Sequence, residues 1–177
     1  MGVAILRAIV GLLFMGHGLQ KLKGWFGGPG PEGTGQFFET LGLRPGKRHA
    51  VAAGSAEMTG GALLALGLLT PLSAALLTGT MATAIKTVHL PNGPWVAEGG
   101  WEYNAVLIAL LFAVTDVGPG RLSLDRRLSI ELSGPGWAIA ELAAGLGGAA
   151  ANLKQVEPEA TGAPQPGDPA TAQSPAV

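Results

Sequence analysis

The fold is decided by AVAAGSAEMTGGALLALGLLTPLSAALLTGTMATAIKTVHL, residues 50–90, in which Glu57 is the only charged side chain before Lys86. Apolar runs of about 20 residues match the hydrocarbon core of a bilayer, which is roughly 30 Å thick. Pro71 divides the stretch, because proline suits the first turn of a helix and lacks the amide that a continuing helix needs. The stretch therefore predicts two membrane-spanning helices, at 50–69 and 72–90.

The composition of the chain is that of an integral membrane protein. Charged residues make up 13% of its 177 residues, against about 25% in an average soluble domain, and the mean hydropathy is +0.36. A soluble domain with so few charges would lack the polar surface it needs. The net charge of −1 argues against nucleic acid as a partner and leaves the lipid bilayer as the expected surroundings. With no cysteine, the chain itself carries no disulfide, covalently attached c-type haem or cysteine-ligated iron–sulfur cluster.

Two further apolar segments, at 3–22 and 101–117, complete a predicted all-α bundle of four transmembrane helices. We expect Arg7, in the first segment, to extend towards the nearer membrane face. The glycines and prolines of residues 24–35 argue against a helix there. Residues 34–43 predict a short helix at the membrane interface.

The predicted four-span bundle occupies residues 1–121, and the rest of the chain differs from it. Residues 122–153 begin with several charged side chains and continue into a stretch rich in alanine and glycine. They predict a polar linker followed by an interfacial helix that lies on the membrane surface, rather than a fifth span. Residues 154–177 are rich in glycine and proline and predict a disordered tail.

Polar side chains gather on one side of the predicted membrane, because consecutive spans alternate in direction. The ends of the first and third spans and the starts of the second and fourth meet on that side. A charge at mid-bilayer costs at least ~2.5–3.5 kcal/mol, so we expect Glu57, deep in the second span, to face inward and to be paired or protonated. Small residues on the second and third spans predict close packing that brings Glu57 within reach of Lys86. The resulting candidate pocket consists of His17, Gln20, Lys21, Glu57, Lys86, His89, Glu102 and Asn104.

Structural roles compete with this pocket for the same residues. Four of them would also suit the water boundary of a span, where long side chains reach the solvent: Lys21, Lys86, His89 and Glu102. Glu57 and Lys86 would also serve as an ion pair that fixes the register of two helices. We expect His49 to be a surface residue.

Several segments taken together carry a family resemblance: HGLQKLKGWFGG (17–28), FFETLGL (37–43), AAGSAEMTGGALLALGLLTPL (52–72), KTVHLPNG (86–93), GGWEYN (99–104) and GPGRLSLD (118–125). Over residues 1 to about 128 the chain resembles the DoxX family of small four-helix membrane proteins. The resemblance implies a four-helix bundle in the bacterial plasma (inner) membrane, with the polar positions of the family falling on the residues of the candidate pocket. Some members of the family are subunits of thiosulfate:quinone oxidoreductases, and others associate with redox and oxidative-stress proteins.

The leading functional hypothesis is a membrane subunit of a quinone-linked redox complex. A quinone needs an apolar slot and polar groups at its carbonyl oxygens, and histidine, with a reference pKa of about 6.5, suits the accompanying proton uptake. His17 and His89 are the candidate donors to the quinone oxygens. Glu57 would relay protons, Lys86 would balance its charge, and Glu102 would lie at the mouth. The electrons would come from a soluble or membrane redox partner, because the sequence shows no flavin, haem or cluster motif.

Other functions stay open at this stage. One is a non-catalytic membrane scaffold that recruits a soluble enzyme through residues 23–48. Another is a small transporter, although the apolar second leaflet would then require a homo-oligomer to supply the path. A further one is a haem b held between His17 and His89. Whether the chain is itself an enzyme stays open, and its lysines and arginines do not decide the orientation. We expect both termini in the cytoplasm.

Overall fold

Helices make up most of residues 1–154, the part of the chain that the structure describes. Over these residues the computed structural model contains seven α-helices: α1 (Gly2–Lys23), α2 (Gly30–Thr40), α3 (Gly46–Leu66), α4 (Thr70–Ala84), α5 (Glu102–Val117), α6 (Leu124–Arg127) and α7 (Pro135–Leu153). No strand occurs within the described residues, so the predicted all-α fold class is confirmed. Apart from Lys154, the tail predicted to be disordered lies outside the described residues.

The α1–α3 pair makes the most extensive helix contact, and glycine allows it. A Cβ atom at Gly11 of α1 would lie 2.5 Å from the carbonyl oxygen of Gly61 in α3, and one at Gly18 would lie 2.7 Å from the carbonyl oxygen of Gly54. These separations are too short for a real Cβ, so the two backbones touch. Small residues permit such an approach, which gains van der Waals packing where lipid supplies no hydrophobic drive between helices.

A neighbouring face of α3 packs on α4. The Ser73 hydroxyl of α4 donates a hydrogen bond of 2.8 Å to the carbonyl oxygen of Gly60. Leu77, one turn further along α4, covers the same glycine and belongs to the buried apolar core. The small residues expected to join the second and third spans are therefore divided, because Gly60 faces α4 whereas Gly61 faces α1.

α4 continues beyond its α-helical part. A π-helical turn, Ile85–His89, extends it, and a short 3-10 turn, Leu90–Asn92, follows. Hydrogen bonds in a π turn run between residues five apart, so the backbone is wider and residues three apart no longer share a face. The turn contains both Lys86 and His89, and it sends their side chains in different directions.

α2 begins earlier than the glycine-rich sequence predicts. The exclusion of a helix from residues 24–35 is wrong for its second half, because α2 starts at Gly30. A proline in the first turn is tolerated, since the amide it lacks has no partner there. Gly35 lets the backbone of α2 lie against Lys47 at the start of α3. The hydrogen bond from Lys47 lowers the pKa of the Glu32 carboxyl and ties the two helices at the surface.

α7 packs along the helical bundle, against α4 and α5. A Cβ at Gly145 would lie 2.7 Å from the Cβ of Thr78 and 2.9 Å from the carbonyl oxygen of Ala75, so this crossing is also a close one. The same face of α7 buries Glu141, whose Oε2 accepts from the Thr78 hydroxyl at 3.4 Å. The helix predicted within residues 122–153 is therefore present and packed, while its position on the membrane surface stays a prediction.

Length and hydropathy support a membrane-spanning role for α1 more strongly than for the other helices. Among the described residues, α1 is the one helix that is long and apolar enough to cross a membrane by length and composition. The three other predicted spans coincide to within a few residues with α3, with α4 and its π turn, and with α5. That these helices cross the bilayer stays a prediction.

Arg7 is buried in the bundle, so the expectation that it extends to the membrane face is wrong. Its guanidinium donates to the carbonyl oxygens of Leu64 at 3.0 Å and Ala65 at 3.2 Å, in the last turn of α3, and to that of Leu122 at 2.6 Å. The last carbonyls of a helix have no partner within it, and a cation complements the helix dipole there. Arg7 therefore caps the end of α3.

Asp125 caps the start of α4 in the same region. Its carboxylate accepts from the backbone amides of Leu69 at 2.8 Å and Thr70 at 3.1 Å, and from the Thr70 hydroxyl at 2.7 Å. The first amides of a helix likewise have no partner within it, and a carboxylate is a favoured cap. Arg7 and Asp125 thus hold the α3–α4 turn from its two sides.

We predict opposite effects of one added methyl group at two glycines of α1. Gly11→Ala should lower the Tm of the detergent-solubilised protein, because the new Cβ would meet the α3 backbone at 2.5 Å and overpacking costs roughly 1–3 kcal/mol. Gly16→Ala should raise it slightly, since nothing lies within 4 Å of that Cβ and alanine is the better helix former by ~1 kcal/mol. Thermal unfolding of both variants checks the prediction, and the reverse order of Tm would contradict the packing.

We also predict that Asp125→Ala destabilises the protein. The substitution leaves buried donors of Leu69 and Thr70 without an acceptor, and each unsatisfied group costs about 1–3 kcal/mol. The matched control is Glu131→Ala, which removes an exposed carboxylate from the same part of the chain and should change stability by at most about 0.5 kcal/mol. Chemical denaturation measures both, and equal effects would contradict the capping role of Asp125.

Candidate functional site

A cavity of about 840 Å³ lies between the helices and is lined mostly by apolar side chains. Its walls come from α1, α2, α3, α4, α5 and α7 and from the segment that joins α4 to α5. The polar side chains that line it are His17, Lys21, His49, Glu57, Thr80, Thr83, Thr87, His89, Tyr103, Asn104 and Asn152. Such a space suits a ligand that is largely apolar and carries a few polar atoms.

α3 presents a single stripe to the cavity. His49, Ala52, Ala53, Ala56 and Glu57 all line it, at the spacing of one helix face. Glu57 lies eight positions after His49, which corresponds to about 12 Å along the helix axis at ~1.5 Å per residue. The cavity therefore has one polar group at the start of α3 and another two helical turns deeper, with small side chains between them.

Glu57 is buried and paired, but its partner is Lys21. The Lys21 Nζ lies 2.7 Å from Glu57 Oε2. The α1–α3 glycine contact brings the two side chains together, since a Cβ at Gly54 would lie 3.1 Å from the Cβ of Lys21. Lys86, the predicted partner, is exposed and does not line the cavity. The inward position of Glu57 matches the prediction, whereas its predicted pairing with Lys86 is wrong.

The π turn explains why His89 reaches the cavity and Lys86 does not. In an α-helix, residues three apart are neighbours on one face, and both side chains were predicted to line the pocket. The wider turn at Ile85–His89 separates them. His89 faces the cavity, where its Nδ1 lies 2.7 Å from the carbonyl oxygen of Gly99.

All three histidines of the chain line the cavity, and each uses its Nδ1 in the same way. The Nδ1 of His17 lies 3.0 Å from Gln20 Oε1, that of His49 lies 3.0 Å from Asn152 Oδ1, and that of His89 bonds the Gly99 carbonyl. Carbonyl oxygens accept and do not donate, so Nδ1 carries the hydrogen in each ring. Nε2 then remains as the ring nitrogen that can exchange a hydrogen bond with a ligand.

The threonines of α4 add acceptors to the wall. The hydroxyls of Thr80, Thr83 and Thr87 donate to carbonyl oxygens of their own helix at 2.8–2.9 Å. With the hydroxyl hydrogen used in this way, only oxygen lone pairs are left for a ligand. The donors available to a ligand oxygen are therefore Lys21, the amides and those histidine rings that are protonated at both nitrogens.

The remaining predicted residues divide between the cavity and its surroundings. Asn104 lines the cavity and donates to Met81 Sδ at 3.4 Å. Gln20 lies outside the lining and orients His17 instead. Glu102 also lies outside it, and its Oε1 accepts from the backbone amide of Val96 at 2.7 Å, which orders the segment between α4 and α5. The structure therefore does not place Glu102 in the cavity wall.

The sequence interpretation missed residues that the structure adds to the cavity. His49, expected at the surface, is buried, because α7 covers it and Asn152 bonds its ring. Tyr103 lines the cavity one residue before Asn104. Spacing along α3 offered a signal for His49, since it lies on the same helix face as Glu57. Within the described residues, no three His, Cys, Asp or Glu side chains group to hold a metal ion.

We predict that Lys21 and Glu57 depend on each other. Lys21→Met leaves a buried carboxylate without its cation and should lower the stability of the protein, since breaking a buried pair costs up to ~3–5 kcal/mol. Lys21→Met combined with Glu57→Gln should recover part of that loss. Lys86→Met, the matched control, should have little effect. Thermal unfolding of the wild-type protein, Lys21→Met, Glu57→Gln, the double variant and Lys86→Met gives the coupling, and additive effects of the two substitutions would contradict the pairing.

Comparison with known proteins places the chain in a family. The model of the DoxX family matches residues 2–90. The Bacillus subtilis protein named "Putative oxidoreductase CatD" is 36% identical over 124 residues, which are 70% of this chain and 84% of that protein. "Uncharacterized membrane protein Rv3486" of Mycobacterium tuberculosis is 37% identical over 138 residues, 72% of this chain and 81% of that protein.

A further relative is "Inner membrane protein YphA" of Escherichia coli, which is 32% identical over 130 residues, 70% of this chain and 87% of that protein. No solved structure matches the chain. The matched family region contains the Lys21–Glu57 pair and all three histidines of the cavity. The match to the family model and the coverage of these relatives show that the chain belongs to the DoxX family of membrane proteins.

Proposed function

We propose that this protein is the membrane subunit of a quinone-linked redox complex and that its cavity binds the quinone. The observation that carries the proposal is the mostly apolar cavity of about 840 Å³ with three histidines in its wall. A quinone has an apolar ring and tail and two carbonyl oxygens that accept hydrogen bonds. The apolar walls suit the ring and tail, and the Nε2–H of a protonated histidine suits the oxygens.

His17 and His89 are the proposed contacts of the quinone oxygens. A protonated histidine has N–H donors at both ring nitrogens. With Nδ1 held by Gln20 or by the Gly99 carbonyl, Nε2 is the atom that donates to the ligand. After Nε2 has released its proton, it becomes an acceptor for a hydroxyl group. Each ring can therefore bind the oxidised and the reduced ligand without turning.

Lys21 and Glu57 would set the charge at the deep end of the cavity. Their ion pair places a carboxylate and an ammonium side by side at 2.7 Å. Lys21 thereby takes the role of charge balance that the sequence assigned to Lys86. The proton relay assigned to Glu57 remains part of the proposal, because Glu57 lines the cavity.

The electrons would come from a partner protein. A bound quinone accepts two electrons and two protons to become a quinol, and the chain contributes no thiol, since it has no cysteine. The name of the Bacillus subtilis relative, which describes an oxidoreductase, supports a redox role. The name of the Escherichia coli relative supports placement in the inner membrane, and we propose that both termini lie in the cytoplasm.

Binding of a short-chain benzoquinone and a short-chain naphthoquinone to the purified protein tests the proposal. His17→Ala and His89→Ala should each weaken binding about 10- to 100-fold, because hydrogen bonds to charged groups are worth about 1.5–3 kcal/mol. Lys86→Ala is the matched control. Lys86 is in the same π turn as His89, but its side chain does not line the cavity. The substitution should leave the affinity unchanged.

The same titrations can overturn the proposal. Absence of binding of either quinone by the folded protein would contradict it. Unchanged affinity in both histidine variants would also contradict it, because the quinone would then be bound at another place.

A further inference from the structure

His49 lies at the end of the cavity where α3 begins, and the C-terminal helix holds its ring. Its side chain is buried, although it follows directly after the exposed Lys47 and Arg48. Its Nδ1 lies 3.0 Å from the Oδ1 of Asn152 in α7, a residue 103 positions further along the chain. This bond joins the start of α3 to the end of α7 at the wall of the cavity.

Two helix faces that line the cavity converge on this bond. The stripe of α3 runs from His49 to Glu57, and that of α7 runs back from Asn152 through Gly148 and Ala149 to Gly145. Phe38 of α2 adds an aromatic wall at the same end, because α2 packs on the start of α3. A ligand that fills the cavity would therefore meet His49 at the end opposite Glu57.

The chemistry of the His49–Asn152 bond determines what the ring offers a ligand. The amide oxygen of Asn152 accepts, so Nδ1 of His49 carries the hydrogen. The tautomer is fixed in this way by the partner of the other nitrogen. Nε2 is left for the ligand, as a donor to a quinone oxygen when the ring is protonated and as an acceptor from a quinol hydroxyl when it is neutral. Within the described residues, Asn152 Oδ1 is the one hydrogen-bond partner of the His49 ring.

We propose that His49 contacts the ligand in the cavity and that Asn152 is its positioning residue. This inference rests on the proposed quinone function and adds a third histidine contact to it. The family model ends at residue 90, so the ligand-contacting ring lies inside the matched region and its positioning residue lies beyond it. The C-terminal helix of this chain thus takes part in the site.

The test combines ligand affinity with the protonation pattern of the ring in the full-length protein. His49→Gln keeps a side chain that can bond Asn152 and removes the second ring nitrogen. It should retain the Tm of the wild-type protein and weaken binding of the short-chain quinones at least tenfold. Lys154→Ala, an exposed change at the same end of α7, is the control and should leave the affinity unchanged.

Asn152 is tested by a matched pair of substitutions. Asn152→Leu removes the acceptor at similar volume, and Asn152→Asp keeps an acceptor oxygen. Nitrogen NMR of ¹⁵N-labelled histidine should show hydrogen on Nδ1 of His49 in the wild-type and Asn152→Asp proteins and a mixed tautomer in Asn152→Leu. Quinone affinity should fall about three- to tenfold in Asn152→Leu and be restored in Asn152→Asp.

Each part of the inference has an outcome that overturns it. Wild-type affinity in His49→Gln would exclude His49 from the ligand contacts while leaving the proposed function intact. An unchanged tautomer in Asn152→Leu would show that Asn152 does not position the ring. If the wild-type protein binds neither quinone, the proposed function and the role of His49 in it both fail, and the NMR comparison still decides the role of Asn152.

Discussion

The contact between the backbones of α1 and α3 is the constraint on which the rest of the structure depends. Because glycines face each other across this pair, the two helices lie close enough for Lys21 Nζ to reach Glu57 at 2.7 Å. The buried carboxylate of α3 is thereby paired with a lysine of α1. α4 meets α3 at Gly60 and Ser73, and beyond that contact the cavity opens between them. The Lys21–Glu57 ion pair can therefore lie at the wall of the cavity.

The two ends of the bundle use polar groups differently. At one end, Arg7 and Asp125 bond the backbone on either side of the α3–α4 turn, so their charges stabilise helix ends. At the other end, the histidines bond protein oxygens through Nδ1 only, and Nε2 remains for a ligand. The first arrangement suits a structural role and the second suits binding. The difference explains why the candidate site is confined to one half of the bundle.

Depth along the helices could be predicted from the sequence, but rotation about the helix axes could not. Alternating direction correctly grouped His17, Lys21, Glu57, His89 and Asn104, which all line the cavity. Lys86 was misplaced because α4 has no charged side chain that indicates its inward face, and its π turn leaves no mark in the pattern of residues. The burial of His49 depends on α7, and a helix rich in alanine and glycine does not reveal which neighbour it will contact.

Photoaffinity labelling tests most directly whether the cavity holds a quinone. The full-length protein in lipid nanodiscs would be treated with a photoreactive quinone and mapped by peptide mass spectrometry. A quinone in the cavity should give adducts on the lining faces of α3 and α7, within residues 49–57 and 144–152, and an unlabelled quinone should suppress them. Adducts confined to exposed side chains of α1, such as Ile5, Ile9 and Leu12, and unaffected by competition, would contradict a quinone site in the cavity.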